Sequence, residues 1–302
     1  MNSDKPLYSI IIPVLNISES LIELTRRIKQ VMDSNNYNFE ILFIDDGSSN
    51  PETLNTMKKV QNDTEASITI ITFFKNAGQQ AAILAGINNA KGSFLITMDG
   101  DLEHRPEDLA SMIDKQKVED YDVVFGNFKE KTHGPIKKFF SYIYTSIERN
   151  ILKYPEGTKR SAFWIMKREV GSEVLKFNTL NPSLSVLIIK VTNHIGSAEI
   201  VQGKRSEGES AYTVSKLIFL ASSLFINNSG IFLRSYFVFG LLLLISSVLL
   251  FLFDFIASTW LKTLVFSFIF FGFFIIGEYL FRIIQNIERH PLYSIREIIR
   301  KD

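Results

Sequence analysis

Along the N-terminal part of the chain, short apolar runs alternate with segments of helical periodicity. Tyr8-Ser-Ile-Ile-Ile-Pro-Val14 reads as a buried strand, and Ser18 stands where it can cap a helix reaching about Ser34. Phe39–Asp45 is the next strand, followed by a helix opening at Pro51, since proline suits a first helical turn. Ile68–Phe74, a helix over Gln79–Asn89, Ser93–Met98 and a helix from Pro106 continue the series, and Tyr121–Gly126 closes it. Such alternation predicts an α/β sandwich with a mostly parallel sheet.

The pattern changes toward the C-terminus. Ser235–Phe253 is a run of 19 residues without a charge, and a second apolar stretch runs from Thr263 to about Ile284, interrupted by Glu278 and Arg282. About 20 residues at ~1.5 Å each cross a hydrocarbon core of about 30 Å. With only Phe255–Lys262 between them, the two stretches predict a tight transmembrane hairpin, helices at about 235–256 and 263–284. Two buried core helices are the alternative, although a core helix rarely shows apolar residues on every face. Arg234 before the first stretch and Arg282, Arg289, Arg296, Arg300 and Lys301 toward the end and beyond the second outweigh Lys262 between them. Both termini are therefore expected in the cytoplasm. The run Tyr8–Leu15 is too short for a signal peptide and lacks its charged start.

The organisation that follows is a cytosolic domain over 1–212, an interfacial amphipathic segment over 213–230, the hairpin over 231–287 and a cytosolic tail over 288–302. Lys137–Tyr144 mixes cations with aromatics, and Leu217–Ile226 is apolar but too short to span. Both suit the headgroup region, or else ordinary core or subunit contacts.

Composition narrows the chemistry. Among 302 residues there is no cysteine, which removes disulfides, zinc–thiolate sites and thiol nucleophiles. A formal net charge of +1 gives no argument for a nucleic-acid partner. The charge is uneven, however: 9 Lys/Arg face 16 Asp/Glu over 1–114, whereas 17 face 11 over 115–216. That asymmetry suits a site with a metal on one side and anions on the other, or an ordinary solvated surface.

Ligands of open α/β sheets gather at the C-terminal ends of the strands. Those positions carry Pro13 and Asn16, Asp45-Asp-Gly-Ser48, Lys75-Asn-Ala-Gly78 and Asp99-Gly-Asp101. No G-x-G-x-x-G follows the first strand and no G-K-[ST] occurs, so phosphate has to be held by a metal and side-chain cations. On an extended segment Asp99, Asp101 and Glu103 point the same way and can converge on Mg²⁺ or Mn²⁺. The same cluster could instead cap the helix from Pro106.

Ser9-Ile-Ile-Ile-Pro-Val-Leu-Asn16, Ile44-Asp-Asp-Gly-Ser48, Lys75-Asn-Ala-Gly-Gln-Gln-Ala-Ala82 and Met98-Asp-Gly-Asp-Leu-Glu-His-Arg-Pro106 resemble the family 2, GT-A-fold glycosyltransferases. Arg205-x-x-Gly208-x-Ser210-x-Tyr212-x-x-x-Lys216, Gly277-Glu-Tyr-Leu-x-Arg282 and Arg289-His-Pro-Leu-Tyr293 resemble the polyprenyl-phosphate branch, of which dolichol-phosphate mannose synthase and bactoprenol glucosyltransferases are members.

The resemblance implies a Rossmann-like GT-A domain with an acceptor loop around 128–160. It implies inverting transfer of a sugar from a nucleotide-sugar donor to polyprenyl phosphate on the cytosolic leaflet of a bacterial inner membrane. By that similarity Pro13, Asn16, Asp45, Asp46, Lys75, Gly78, Asp99 and Gly100 meet the donor, and Asp99, Asp101 and Glu103 hold the metal. Lys129, Lys131, Lys137, Arg205 and Ser210 meet the acceptor phosphate, with Asp101 and Arg205 the catalytic pair. A homo-oligomer is expected, because two lone spans bury little surface. The Asn, Lys, Ile and Phe bias points to an AT-rich bacterial genome and hence to undecaprenyl phosphate.

Three departures from the family pattern stand out. Ile17 occupies a position where members usually have glutamate, lysines replace arginines after the fifth strand, and no acidic residue precedes Phe163. Two other readings remain open: a processive glycan synthase, whose Q-x-x-R-W motif is missing here, and a nucleotide-sugar-binding membrane scaffold without catalysis.

Overall fold

A computed structural model of the chain describes residues 6–128, 161–177, 179, 182–203, 236, 238–242, 245, 259–287 and 291–301. Two compact units are present, one formed by Met1–Glu209 with Pro291–Asp302, the other by Ser210–His290.

The first unit is a three-layer α/β sandwich. In chain order it runs β1 (Leu7–Val14), α1 (Glu19–Ser34), β2 (Asn38–Asp45), α2 (Pro51–Asp63), β3 (Ser67–Phe73), α3 (Gln79–Asn89), β4 (Phe94–Thr97) and α4 (Asp108–Glu119). It continues through β5 (Val123–Phe128), β6 (Trp164–Lys167), α5 (Arg168–Val174), α6 (Leu184–Val191) and β7 (Ile195–Ile200) to β8 (Ile295–Arg300). The sheet order is β7-β5-β6-β4-β1-β2-β3-β8. β1 pairs parallel with β2 and β4, β2 with β3, and β5 with β7, while β6 and β8 run antiparallel to their neighbours.

The unbroken apolar runs are explained by burial on both faces, as parallel strands require. Alternate residues part cleanly. Ile10, Ile12 and Val14 join Leu21, Leu24 and Ile28 of α1, Met57 of α2 and Leu109 of α4. Ile11, Leu42 and Ile44 join Ala82, Ile83 and Leu84 of α3, Val170 of α5 and Leu187 of α6. α2 starts at Pro51 with the Asn50 side chain accepting from Glu52 N at 3.0 Å. Ser18 holds the N-cap position of α1 without a side-chain capping bond.

The structure goes beyond the sequence pattern at three places. The alternation does not close at Gly126, because β6 inserts between β4 and β5 and β7 follows at the sheet edge. Residues 295–300, assigned to a tail by sequence, pair with β3 from Thr69↔Arg300 to Phe73↔Ile295. Lys301 then donates to the carbonyls of Gln61, Asn62 and Thr64 where α2 ends, satisfying acceptors that a helix C-terminus leaves open. Finally, the segment 98–103 is a turn rather than an extended strand end, with Leu102 at φ 66°.

In the second unit, α7 (Thr259–Ile287) is 29 residues long and exposes Phe266, Phe270, Phe273 and Phe274. The Tyr236 ring stacks on Phe268 at 4.4 Å, and its hydroxyl donates to the Phe268 carbonyl at 2.7 Å. Among the described residues no helix is long and apolar enough to cross a membrane. Side chains of α7 are described without a break only over 265–277, and most of the first expected span lies outside the described residues.

Candidate active site

The loops that leave the C-terminal ends of β1–β4 are knitted together by side chains. Asn16, at φ 54°, accepts from Ser49 N (2.9 Å) and Asn50 N (3.1 Å) through Oδ1, and its own N–H donates to Ser48 Oγ at 2.9 Å. Asp45 Oδ1 accepts from Ser48 N at 2.9 Å. Asp46, only 3% exposed, accepts from Ala77 N at 2.6 Å and Gly78 N at 2.9 Å. Burial pushes its carboxyl pKa up, and the two backbone N–H bonds oppose that rise. A Cβ on Gly47 (φ 70°) would lie 2.6 Å from the Lys75 carbonyl carbon, so only glycine lets these loops touch.

After β4 the chain turns tightly through Asp99–His104. Gly100 is buried against Ile17, whose Cδ1 would lie 2.4 Å from a Cβ there. Asp101 is 7% exposed, and its Oδ1 accepts from Glu103 N at 3.0 Å. Gln79 Nε2 donates to Asp99 Oδ1 at 2.7 Å, and Gln202 Nε2 donates to Glu103 Oε1 at 2.6 Å. His104 lies between Phe128 (5.6 Å, stacked) and Phe163 (5.1 Å, tilted), and its Nδ1 accepts from Asp99 N at 3.0 Å. Burial, the largest influence, pulls the imidazole pKa down to about 4 against the pull of nearby carboxylates. The ring is therefore neutral at pH 7 and brings no positive charge to the turn.

Asp99, Glu103 and His104 line an open cavity of about 340 Å³ together with Asn127, Phe128 and Ser161. A larger hollow of about 590 Å³ lies along α1 from Ile22 to Asp33 and against the C-terminal end of α2 and the residues just after it, Lys59 to Glu65. Its α2 wall is the C-terminal end of that helix, away from the strand C-termini where ligands of α/β folds gather.

Of the residues expected at the site, Asp45 and Asp46 stand at the end of β2 and Asp99, Gly100, Asp101 and Glu103 in the turn after β4, all at the C-terminal side of the sheet. Pro13 is half-buried in β1, Lys75 is exposed, and Gly78 caps α3 at φ 93°. The side-chain oxygen of Asn16 is engaged in shaping the 48–50 loop. Lys129, Lys131, Lys137, Arg205 and Ser210 lie outside the described residues.

Among the described residues no three His, Asp or Glu side chains converge closely enough to hold a metal ion. Two hard-oxygen donors on one cavity wall, with a third carboxylate buried behind them, nevertheless fit Mg²⁺ or Mn²⁺. Such ions are commonly bound through one or two carboxylates and keep waters or phosphate oxygens as further ligands.

Sequence reasoning missed Gln79, His104, Phe128, Phe163 and Gln202. Gln79 and His104 stood inside recognised motifs, and Phe163 stood beside a noted departure from the family pattern. Gln202 carried no signal, since only the crossing of residues 201–203 over the turn gives it a partner.

The family model for Glycosyl transferase family 2 matches residues 9–175. An uncharacterised glycosyltransferase, YkcC of Bacillus subtilis, is 29% identical over 304 residues, covering 96% of this chain and 93% of that protein. An undecaprenyl-phosphate 4-deoxy-4-formamido-L-arabinose transferase of Edwardsiella ictaluri is 29% identical over 314 residues, 97% and 94% respectively. Among solved structures, glucosyl-3-phosphoglycerate synthase from Mycobacterium tuberculosis in complex with Mn²⁺ and UDP-glucose aligns with a TM-score of 0.51. At 13% identity, the alignment covers 73% of this chain and 77% of that one, and it shows a shared fold. With the family matched from β1 to the end of α5 and the acidic turn at the end of β4, the chain belongs to glycosyl transferase family 2 and is a glycosyltransferase.

Proposed function

We propose that this enzyme transfers a sugar, with inversion, from a nucleoside-diphosphate donor to undecaprenyl phosphate at the cytosolic face of a bacterial inner membrane. The observation that carries the reading is the cavity at the strand ends, with the carboxylates of Asp99 and Glu103 on its wall. End-to-end similarity to the undecaprenyl-phosphate transferase supports the acceptor.

In the reaction the anomeric carbon loses its bond to the donor diphosphate and gains one to an acceptor phosphate oxygen. The acceptor is already ionised at pH 7, so no strong general base is needed, and the difficulty lies in bringing two anions together. A divalent ion at the acidic turn would neutralise the departing diphosphate. Asp99 and Glu103 would hold it, and Asp101 fixes the turn from behind through its bond to Glu103 N. The 45–48 and 75–78 loops, locked together by Asp46, are suited to the nucleoside, with Lys75 exposed beside them for the donor phosphates. Arg205, Ser210, Lys129, Lys131 and Lys137 remain the candidates for the acceptor phosphate.

A C-terminal hairpin over about 235–284 would anchor the catalytic unit and favour a homo-oligomer. The exposed phenylalanines of α7 and the Tyr236–Phe268 stack support that anchor.

The test is nucleotide release by the detergent-purified protein across a panel of sugar nucleotides, with Mg²⁺ or Mn²⁺, with and without undecaprenyl phosphate. Release that needs both lipid and metal, and that disappears in a folded Asp101→Asn variant, is the expected result. Lipid-independent release, or unchanged turnover in Asp101→Asn, sinks the reading.

A further inference from the structure

The two cavity-facing carboxylates of the acidic turn are each met by a glutamine amide from a different part of the fold. Gln79 Nε2 donates to Asp99 Oδ1 at 2.7 Å, and Gln202 Nε2 to Glu103 Oε1 at 2.6 Å. We propose that Gln79 and Gln202 are positioning residues that aim Asp99 and Glu103 at a divalent cation. The inference rests on the cation reading given above.

The choice of amide is physically specific. A lysine or arginine here would orient the carboxylate equally well but would cancel the charge that attracts the cation. An amide N–H fixes one oxygen in direction and leaves the negative charge in place. Only the nitrogen end of each amide can face an ionised carboxylate, so the direction of donation is set.

Both glutamines are themselves held by backbone. Gln79 opens α3 directly after Gly78, whose N–H is bound by the Asp46 carboxylate. Gln202 forms an antiparallel bridge with His104, and the next residue, Gly203, donates its N–H to the Glu103 carbonyl at 2.9 Å. A Cβ on Gly203 would lie 2.2 Å from the Leu102 carbonyl oxygen, so glycine permits this approach. Asp108 Oδ2 accepts from Val201 N at 3.1 Å and secures the same segment from α4. Residues 201–203 are thereby fixed along the turn, and the Gln202 side chain reaches Glu103 from a set distance.

The two bonds differ in weight. Gln79 is exposed, so water can take over its bond to Asp99, whereas the Gln202–Glu103 bond is partly buried. Removing the partly buried partner should cost more.

The experiment is a titration of the full-length, detergent-purified protein with Mn²⁺ alone, following the free-ion electron paramagnetic resonance signal. Gln202→Met, close in size and flexibility, is expected to weaken Mn²⁺ binding about tenfold, the usual cost of losing such a partner. Gln79→Met should weaken it less. Gln202→Asn, whose amide falls one methylene short, serves as the polar control and should also bind more weakly. In a Glu103→Ala background Gln202→Met should change nothing further, which a general structural effect would not predict. Wild-type affinity in Gln202→Met and Gln202→Asn overturns the proposal, as does an equal loss with and without Glu103. Wild-type protein that binds no Mn²⁺, or Asp99→Ala and Glu103→Ala variants that bind it normally, overturns the cation reading itself and this inference with it.

Discussion

Asp46 offers the most direct test of how the donor-side loops are built. Its carboxylate accepts from Ala77 N at 2.6 Å and from Gly78 N at 2.9 Å, and its own N–H donates to Val14 O at 2.9 Å. It thus fastens the end of β2 to the end of β1 and to the β3–α3 loop. In Asp46→Asn the retained Oδ1 still accepts from Ala77 N and, at 3.2 Å, from Gly78 N, but the new NH₂ group replaces the shorter 2.9 Å bond to Gly78 N with donor against donor. Hydrogen bonds to a charged group contribute about 1.5–3 kcal/mol each. Part of that is offset, because burial makes the ionised form costly, as its raised pKa indicates, and a neutral amide avoids that cost. A net local loss of about 1–2 kcal/mol follows, which corresponds to amide exchange about 5–30 times faster. Hydrogen–deuterium exchange on the peptide covering residues 75–79 is the assay, with a peptide from β1 as internal reference. Unchanged exchange at 75–79, or acceleration spread equally over β1, would refute the reasoning.

Two further perturbations address the scaffold. In Gly86→Ala the new methyl would lie 2.3 Å from Ile11 Cγ2 in a fully buried contact between α3 and β1. Overpacking costs about 1–3 kcal/mol, against up to about 1 kcal/mol gained in helix propensity, so the melting temperature should fall by a few degrees; a rise would contradict the packing argument. Arg27 Nε donates to Glu107 Oε1 at 2.8 Å, and this bond, as the largest influence, holds the Glu107 pKa down at about 2. A depressed carboxyl pKa contributes stability above its unfolded value, about 4.5, that is lost as pH falls toward about 2. Solvent screens much of it, since Glu107 is 42% exposed, so the gap in melting temperature between wild type and Arg27→Gln should be small at pH 7 and vanish near pH 2. A gap that widens on acidification would count against this ion pair.

Much of the fold was legible because it rests on local, repeating signals. The α3 span, Gln79–Asn89, falls where the sequence pattern puts it. The doubly buried runs of β1, β2 and β3 follow from apolar residues at consecutive positions, and the acidic turn from its place directly after β4. β6 and β8 were not legible. Trp164–Lys167 is four residues long and Ile295–Arg300 alternates imperfectly, so neither carries a period strong enough to stand alone. Their strand character comes from hydrogen bonds to β4 and β3, partners far away in sequence.

The same division runs through the site. Sequence by itself determined which chemistry the strand ends can hold: Asp45, Asp46, Asp99, Asp101 and Glu103 are placed by counting from the apolar runs, and the lack of cysteine removes the alternatives. Tertiary structure alone decided the direction in which each group points. Asp46 is turned toward backbone N–H groups, Asp101 toward Glu103 N, and Asp99 and Glu103 toward the cavity with glutamines behind them. A hydrogen bond needs its partners within about 3 Å and roughly in line. Nothing in the order of residues along the chain states that Gln202 meets Glu103, because 99 positions separate them and only the folded sheet brings them together.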